Sequence, residues 1–215
     1  MRGRLSRRLV LEAALALVDR EGADTLTMRR LAKELDVAAM SLYNHVRGRE
    51  DLLDGLSEVM VEQIGAMPRG DEAPPDALRR FARGIRAVAT AHPAAFQLVG
   101  MRPLRTHAAL ASVEAALGAL RQWGLAEAKA THAYRALISF ARGFALAEIA
   151  GFTLESRARR RLADADAATL PATEFPTVVE LAPWLRRRAG DAAFEYGLDA
   201  LLAGIAGSAH AVEGA

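Results

Sequence analysis

The 215-residue chain contains no cysteine. Disulfides, cysteine-ligated zinc and thiol nucleophiles are thereby excluded, and the absence fits a reducing compartment. Histidine is sparse as well: His45, His92, His107, His132 and His210 lie far apart, and no two sit at the three- or four-residue spacing of a helical metal pair. There is no glycine-rich phosphate loop, nucleophile elbow or kinase signature, so no catalytic residue, metal or cofactor is expected. Long apolar runs are missing too. The most apolar stretch, Tyr134 to Phe152, is interrupted by Arg135, Arg142 and Glu148, and Met1 to Ala14 carries four arginines and a glutamate where a secretory leader would be apolar. A soluble, cytoplasmic, non-enzymatic protein is the expectation.

A hydrophobic share of 52% is ample for a core, and the length suits a small N-terminal domain followed by a larger one. Net charge is only +2, but residues 1–50 hold 10 basic and 7 acidic side chains, so the positive excess lies at the N-terminus. Arg2, Arg4, Arg7 and Arg8 read either as a basic arm for a phosphate backbone or minor groove, or as a solvated tail.

The stretch Thr27 to Arg49 reads as two short helices joined by a tight turn. Thr27 can cap the first, which places Leu31, Ala32 and Leu35 on one face. Asp36 suits a left-handed turn, and the second helix is expected over Ala39 to His45, with Val37, Leu42 and Val46 facing inward. Its outward positions carry no acid, as a surface approaching phosphates requires. Arg29 and Arg30 stand in the first turn of the leading helix, where positive charge opposes the macrodipole; a nearby phosphate backbone would explain them, with Arg49 as a third cation. The alternative is a helical hairpin that merely packs.

Helical periodicity continues through the rest of the chain. A helix from Ser6 to Glu21 backs the pair, and another from Gly48 runs toward Met67 as a lever between domains. Pro68 to Pro75 is a loop, and Asp76 opens a helix that His92-Pro93 breaks. A short helix reaches Gly100, and one from Thr106 presents Leu110, Val113, Leu117 and Leu120 inward. Ala126 to Leu154 is the longest, apolar on several faces, with small residues that admit a partner subunit. Arg157 to Ala168 reads as a mobile loop, the stretch to Pro183 as at most a short helix, Asp191 as the start of the final helix, and the tail after Gly207 as disordered. The fold expected is all-α: a three-helix helix-turn-helix domain over 1–48, a connecting helix and loop over 49–75, and a larger helical dimerisation domain over 76–215.

Ala13-Ala14, Leu17, Gly22, Leu26-Thr27-Met28-Arg29-Arg30-Leu31-Ala32, Val37, Leu42-Tyr43-Asn44-His45-Val46 and Leu52-Leu53 together resemble the DNA-binding domain of the TetR family, close to its tetracycline repressor branch. Phe175-Pro176, Phe194 to Leu198 and Leu201 to Ile205 are similar to that branch's C-terminal domain. The resemblance implies a homodimeric regulator, most simply a repressor released from a palindromic operator by a small molecule. Candidate DNA contacts are Thr27, Arg29, Ala39, Met40, Ser41, Tyr43, Asn44, His45 and Arg49. Asn44 can bond adenine bidentately, and Ala39 and Met40 can meet a thymine methyl. Ala39 and Asn44 depart from the branch's amide and tryptophan, which implies a different operator. Gly100, Arg102 and Pro103 match its ligand-responsive turn, but Gly65, Leu98 and Met101 replace its histidines and threonine, which argues against magnesium–tetracycline. Phe81, Ile85, Leu98, Met101, Arg102, Leu117 and Phe140 are the candidate pocket for a fairly apolar effector. The rival reading is a ligand-binding or protein-interaction module without sequence-specific DNA binding.

Overall fold

The structure is a computed structural model and describes residues 5–65, 72–102, 106–150, 171–185 and 190–210. These form ten α-helices and a short 3-10 turn, with no strand among the described residues. Helix α1 spans Arg7–Glu21 and begins where the Ser6 hydroxyl accepts the Leu9 N–H at 3.2 Å. Gly22, at φ 91°, ends it in a conformation that favours glycine. Helix α2, Met28–Glu34, is capped by Thr27, whose hydroxyl accepts the Arg30 N–H at 3.1 Å. Asp36 takes φ 52° in the turn, and α3 follows over Ala39–Tyr43. It is two residues shorter than expected, because the His45 N–H bonds back to the Leu42 carbonyl at 2.9 Å and tightens the last turn. Leu31, Ala32, Leu42 and Val46 are buried in one core with Val10, Ala14, Leu17 and Val18 of α1. Truncating fully buried Leu42 to alanine would cost about 2–5 kcal/mol.

Helix α4, Arg49–Gln63, follows α3 with only a short turn between and packs against α1 on one side and α5, α6 and α7 on the other. It stops short of the expected Met67, a position outside the described residues; Gly65 at φ 94° lies just past its end. Helix α5, Pro74–Ala91, opens two residues before Asp76, since a proline in the first turn gives up no intrahelical bond. Its Gly84 lies against the end of α4 so closely that an added Cβ would collide with the Ile64 carbonyl oxygen.

Helix α6 is Pro93–Val99, and α7, His107–Gln122, is capped by Thr106. The buried stripe of α7 is Ala109, Ser112, Ala116, Ala119 and Leu120, so the expected inward set needs correction: Leu110 is exposed, and Val113 and Leu117 are half-buried. Small residues let α7 lie close to α5 and α8, which leaves the larger ones at the edge of the contact. Helix α8, Glu127–Ala150, buries Ala130, Ala133, Leu137, Ala141 and Ala145. The expected loop over 157–168 lies outside the described residues. Helix α9, Pro176–Leu185, is a full ten-residue helix with Pro183 in its last turn. Helix α10, Asp191–His210, continues past Gly207 rather than ending there, and buries Phe194, Leu198, Leu202 and Ile205.

Candidate nucleic-acid interface and effector cavity

Helices α2 and α3 meet around a concave patch lined by Thr27, Arg29, Arg30, Ala32, Lys33, Val37 and Ala39. Beyond it the outer face of α3 presents Met40, Tyr43 and Asn44 to solvent, with Ser41 and His45 half-buried at its sides. Leu42 fixes the rotation of α3 by taking the one fully buried position, so residues on either side of it must point outward. Met40 is 77% exposed, far beyond what core packing would leave.

Ion pairing separates the cations of this region. Arg30 is clamped by Glu21, with Nε at 3.0 Å, and by Glu34 at 2.9 Å, so the phosphate explanation for its place in α2 gives way to an intramolecular one. The Arg30 guanidinium, then Arg20, holds the Glu21 carboxyl below the ordinary carboxylate range. Arg7 and Arg8 likewise belong to α1 rather than to an arm. Arg7 donates to Asp51 at 2.9 Å and to the His45 carbonyl at 3.0 Å, and Arg8 pairs with Glu12 and Glu62. Arg2 and Arg4 lie outside the described residues. Arg49 spends one N–H on the Leu26 carbonyl at 3.2 Å. The side chains of Arg29, Lys33 and Arg47 have no carboxylate partner among the described residues, although the Arg47 backbone N–H donates to Asp51 at 2.8 Å. Lys33 and Arg47 escaped the sequence reading. Lys33 stands one helical turn beyond Arg29, and that spacing was the available signal.

A second site lies inside the bundle. Ser57, Met60, Val61 and Ile64 of α4 and its end face Phe81, Ile85 and Val88 of α5, Phe96, Val99 and Gly100 at α6, Ser112 of α7, and Tyr134, Ile138 and Arg142 of α8. The space between them totals about 490 Å³ including its mouth, yet the centre of a water-sized molecule can reach only about 30 Å³ of it. Of the residues nominated from sequence, Phe81 and Ile85 line this cavity. Leu98 and Leu117 are half-buried but do not line it, and Met101 is 69% exposed. Arg102 turns away to bond Asp54 at 2.9 Å and Glu50 at 2.7 Å, both on α4. Phe140 stacks on Phe194 of α10 with centroids 5.4 Å apart. Burial pushes the Arg142 guanidinium below its ordinary value, and it pushes the Tyr134 phenol up. No group of three or more His, Asp or Glu is placed to hold a metal ion among the described residues.

Residues 10–56 match the bacterial regulatory proteins of the tetR family, and residues 68–208 match the tetracyclin repressor-like C-terminal domain. The chain belongs to the TetR family. It is 31% identical over 210 residues to the tetracycline repressor protein class C of Escherichia coli, covering 94% of this chain and 91% of that protein. It is 32% identical over 158 residues to the HTH-type transcriptional repressor DrrR1 of Streptomyces coeruleorubidus, across 73% of this chain and 58% of that relative's length. The crystal structure of the TetR family protein ActR of Streptomyces coelicolor with (S)-DNPA superposes with a TM-score of 0.81, at 28% identity, over 96% of this chain and all of that one. TetR-family proteins are DNA-binding transcriptional regulators that act as homodimers and respond to small molecules, and this chain is such a regulator rather than an enzyme. No helix among the described residues is long and apolar enough to cross a membrane.

Proposed function

We propose that the chain is a cytoplasmic repressor whose homodimer grips a two-fold operator through paired α3 helices and releases it when an apolar small molecule enters the α4–α8 cavity. The carrying observation is that one helix serves both sites. The inner face of α4 lines the cavity, while its other side packs on α1, with Gly55 directly against Leu11. An occupant that pushes α4 therefore pushes the reading head. A narrow cavity favours this, since a drug-sized ligand needs about 300 Å³ or more and must part α4 from α5 and α8 to fit.

In this reading, residues 1–48 form the head, 49–75 the lever and 76–215 the effector and dimer domain. Arg29, Lys33 and Arg47 meet phosphates, joined by Thr27, Tyr43, His45 and the remaining N–H groups of Arg49. Ala39, Met40, Ser41 and Asn44 face base edges. Dimerisation uses the outer faces of α8 and α10, where Ser139, Gly143, Ala200, Ala203 and Gly204 are exposed and small enough for close helix approach. Two heads about 34–36 Å apart would then enter successive major grooves. A ligand that favours the wrong spacing by about 1–3 kcal/mol lowers operator affinity roughly 5–150-fold.

Selection of bound duplexes from a random pool with competitor DNA tests the proposal. Enrichment of a two-fold symmetric site is expected. Weak binding without sequence preference would overturn it in favour of an interaction module.

A further inference from the structure

The effector reading leaves unexplained two polar side chains in a cavity that is otherwise almost wholly apolar. Tyr134, Ile138 and Arg142 stand at i, i+4 and i+8 on α8, so all three face the cavity along one stripe of the helix. The Arg142 guanidinium has neither an ion-pair nor a hydrogen-bond partner among the described residues, and the Tyr134 hydroxyl has none either. Of the other arginines described in this bundle, Arg79, Arg80, Arg83, Arg86, Arg102 and Arg121 are each engaged by a carboxylate or a carbonyl, and Arg135 is exposed. Arg86 shows the contrast: on the far side of α5 it is bonded by Glu148 at 2.8 Å and Asp191 at 2.7 Å. Among the described residues no aspartate or glutamate lines the cavity; of the two other hydroxyls there, that of Ser112 already donates to the Ala109 carbonyl at 2.8 Å, and that of Ser57 carries no charge to offset the guanidinium. A half-buried cation with no counter-charge is unfavourable, and the chain has met that cost beside a void rather than on the surface.

We propose that the effector is an amphipathic anion, an aromatic or alicyclic acid whose carboxylate pairs with Arg142 and accepts from the Tyr134 hydroxyl while its ring lies among Met60, Phe81, Ile85 and Phe96. The inference rests on the effector reading above and narrows it to a ligand class. The planar guanidinium fork matches a carboxylate with two parallel N–H bonds, and the phenol supplies a third donor. A neutral isostere fills the same apolar space without satisfying the cation. Charge thus separates ligands that shape alone would admit together.

The test uses the full-length dimer and two matched probes, 2-naphthylacetic acid and its neutral amide, with binding followed by calorimetry near neutral pH. The acid is expected to bind roughly ten- to a hundredfold more tightly than the amide. Arg142→Gln should erase that preference while retaining amide binding, Arg142→Lys should keep part of it, and the thermal midpoint of Arg142→Gln should hold or rise. Filling the cavity with Ile138→Trp should weaken both probes. Equal binding of acid and amide by the unaltered protein, lost on Ile138→Trp, overturns the anion proposal and leaves the cavity as the effector site. Binding of neither probe, or binding indifferent to Ile138→Trp, overturns both.

Discussion

His92 and Asp19 tie the effector bundle to the reading head: Nδ1 of the histidine lies 2.6 Å from Oδ2 of the aspartate, and Nε2 lies 2.7 Å from Oε1 of Gln63. One imidazole at the break between α5 and α6 thus holds the last turn of α1 and the end of α4. The Arg102 bonds to Asp54 and Glu50 form a second tie further up α4.

His92→Ala removes two hydrogen bonds to the exposed Asp19 and Gln63 and should cost about 1 kcal/mol of stability, read by urea unfolding. It should also reduce the difference in operator affinity between free and effector-bound protein. An unchanged difference would show that the tie is only structural.

Arg29→Ala, Lys33→Ala and Arg47→Ala should each weaken binding to all duplexes alike and reduce the salt slope by about 1. Arg30→Ala should leave that slope alone and lower stability instead, because its charge is spent on Glu21 and Glu34. Asn44→Ala should relax sequence preference at one position per half-site. A uniform loss on every sequence would remove Asn44 from base reading.

Below about pH 4 the head should lose stability through Asp51, whose carboxyl the Arg7 guanidinium, helped by the Arg47 backbone N–H, holds below the ordinary range. A carboxyl with a depressed folded-state pKa contributes stability above its unfolded value of about 3.9, and that contribution disappears as pH falls through the folded value. Asp51→Asn should be less stable near pH 7 and should show a shallower decline between about pH 5 and pH 3. Thermal midpoints across that range are the measurement.

Gly84→Ala introduces a methyl group against the Ile64 carbonyl and should destabilise by about 1–3 kcal/mol. It also sets α5 further from α4, so operator affinity should fall without effector. Retained stability and affinity would mean that the contact between these helices gives way freely.

Local chemistry made the reading head legible. Thr27 caps, Asp36 turns left-handed and Leu42 faces inward because neighbours within a few residues dictate each choice. What was not legible depended on partners far along the chain. Glu34, four residues beyond Arg30, was within reach of helical spacing, but nothing near Arg30 announces Glu21 nine residues earlier, and nothing near Arg7 announces Asp51. The cavity was legible only through Phe81 and Ile85, on the strongly amphipathic α5. Arg142 registered merely as a charge interrupting an apolar run; its i+8 relation to Tyr134 was the usable sign. Phe140 carried the right chemistry for a pocket, but its neighbour proved to be Phe194, whose proximity only the packing of α8 on α10 creates.

The narrowness of the cavity has a consequence for discrimination. A void that admits a water or two at rest lets the smallest solutes come and go without moving a helix, so they carry no message. If the cavity is the effector site, only a molecule too bulky for the resting gap changes the distance between the heads. On the proposed reading the protein works as a go/no-go gauge, deaf to the small-molecule background of the cell and triggered by girth.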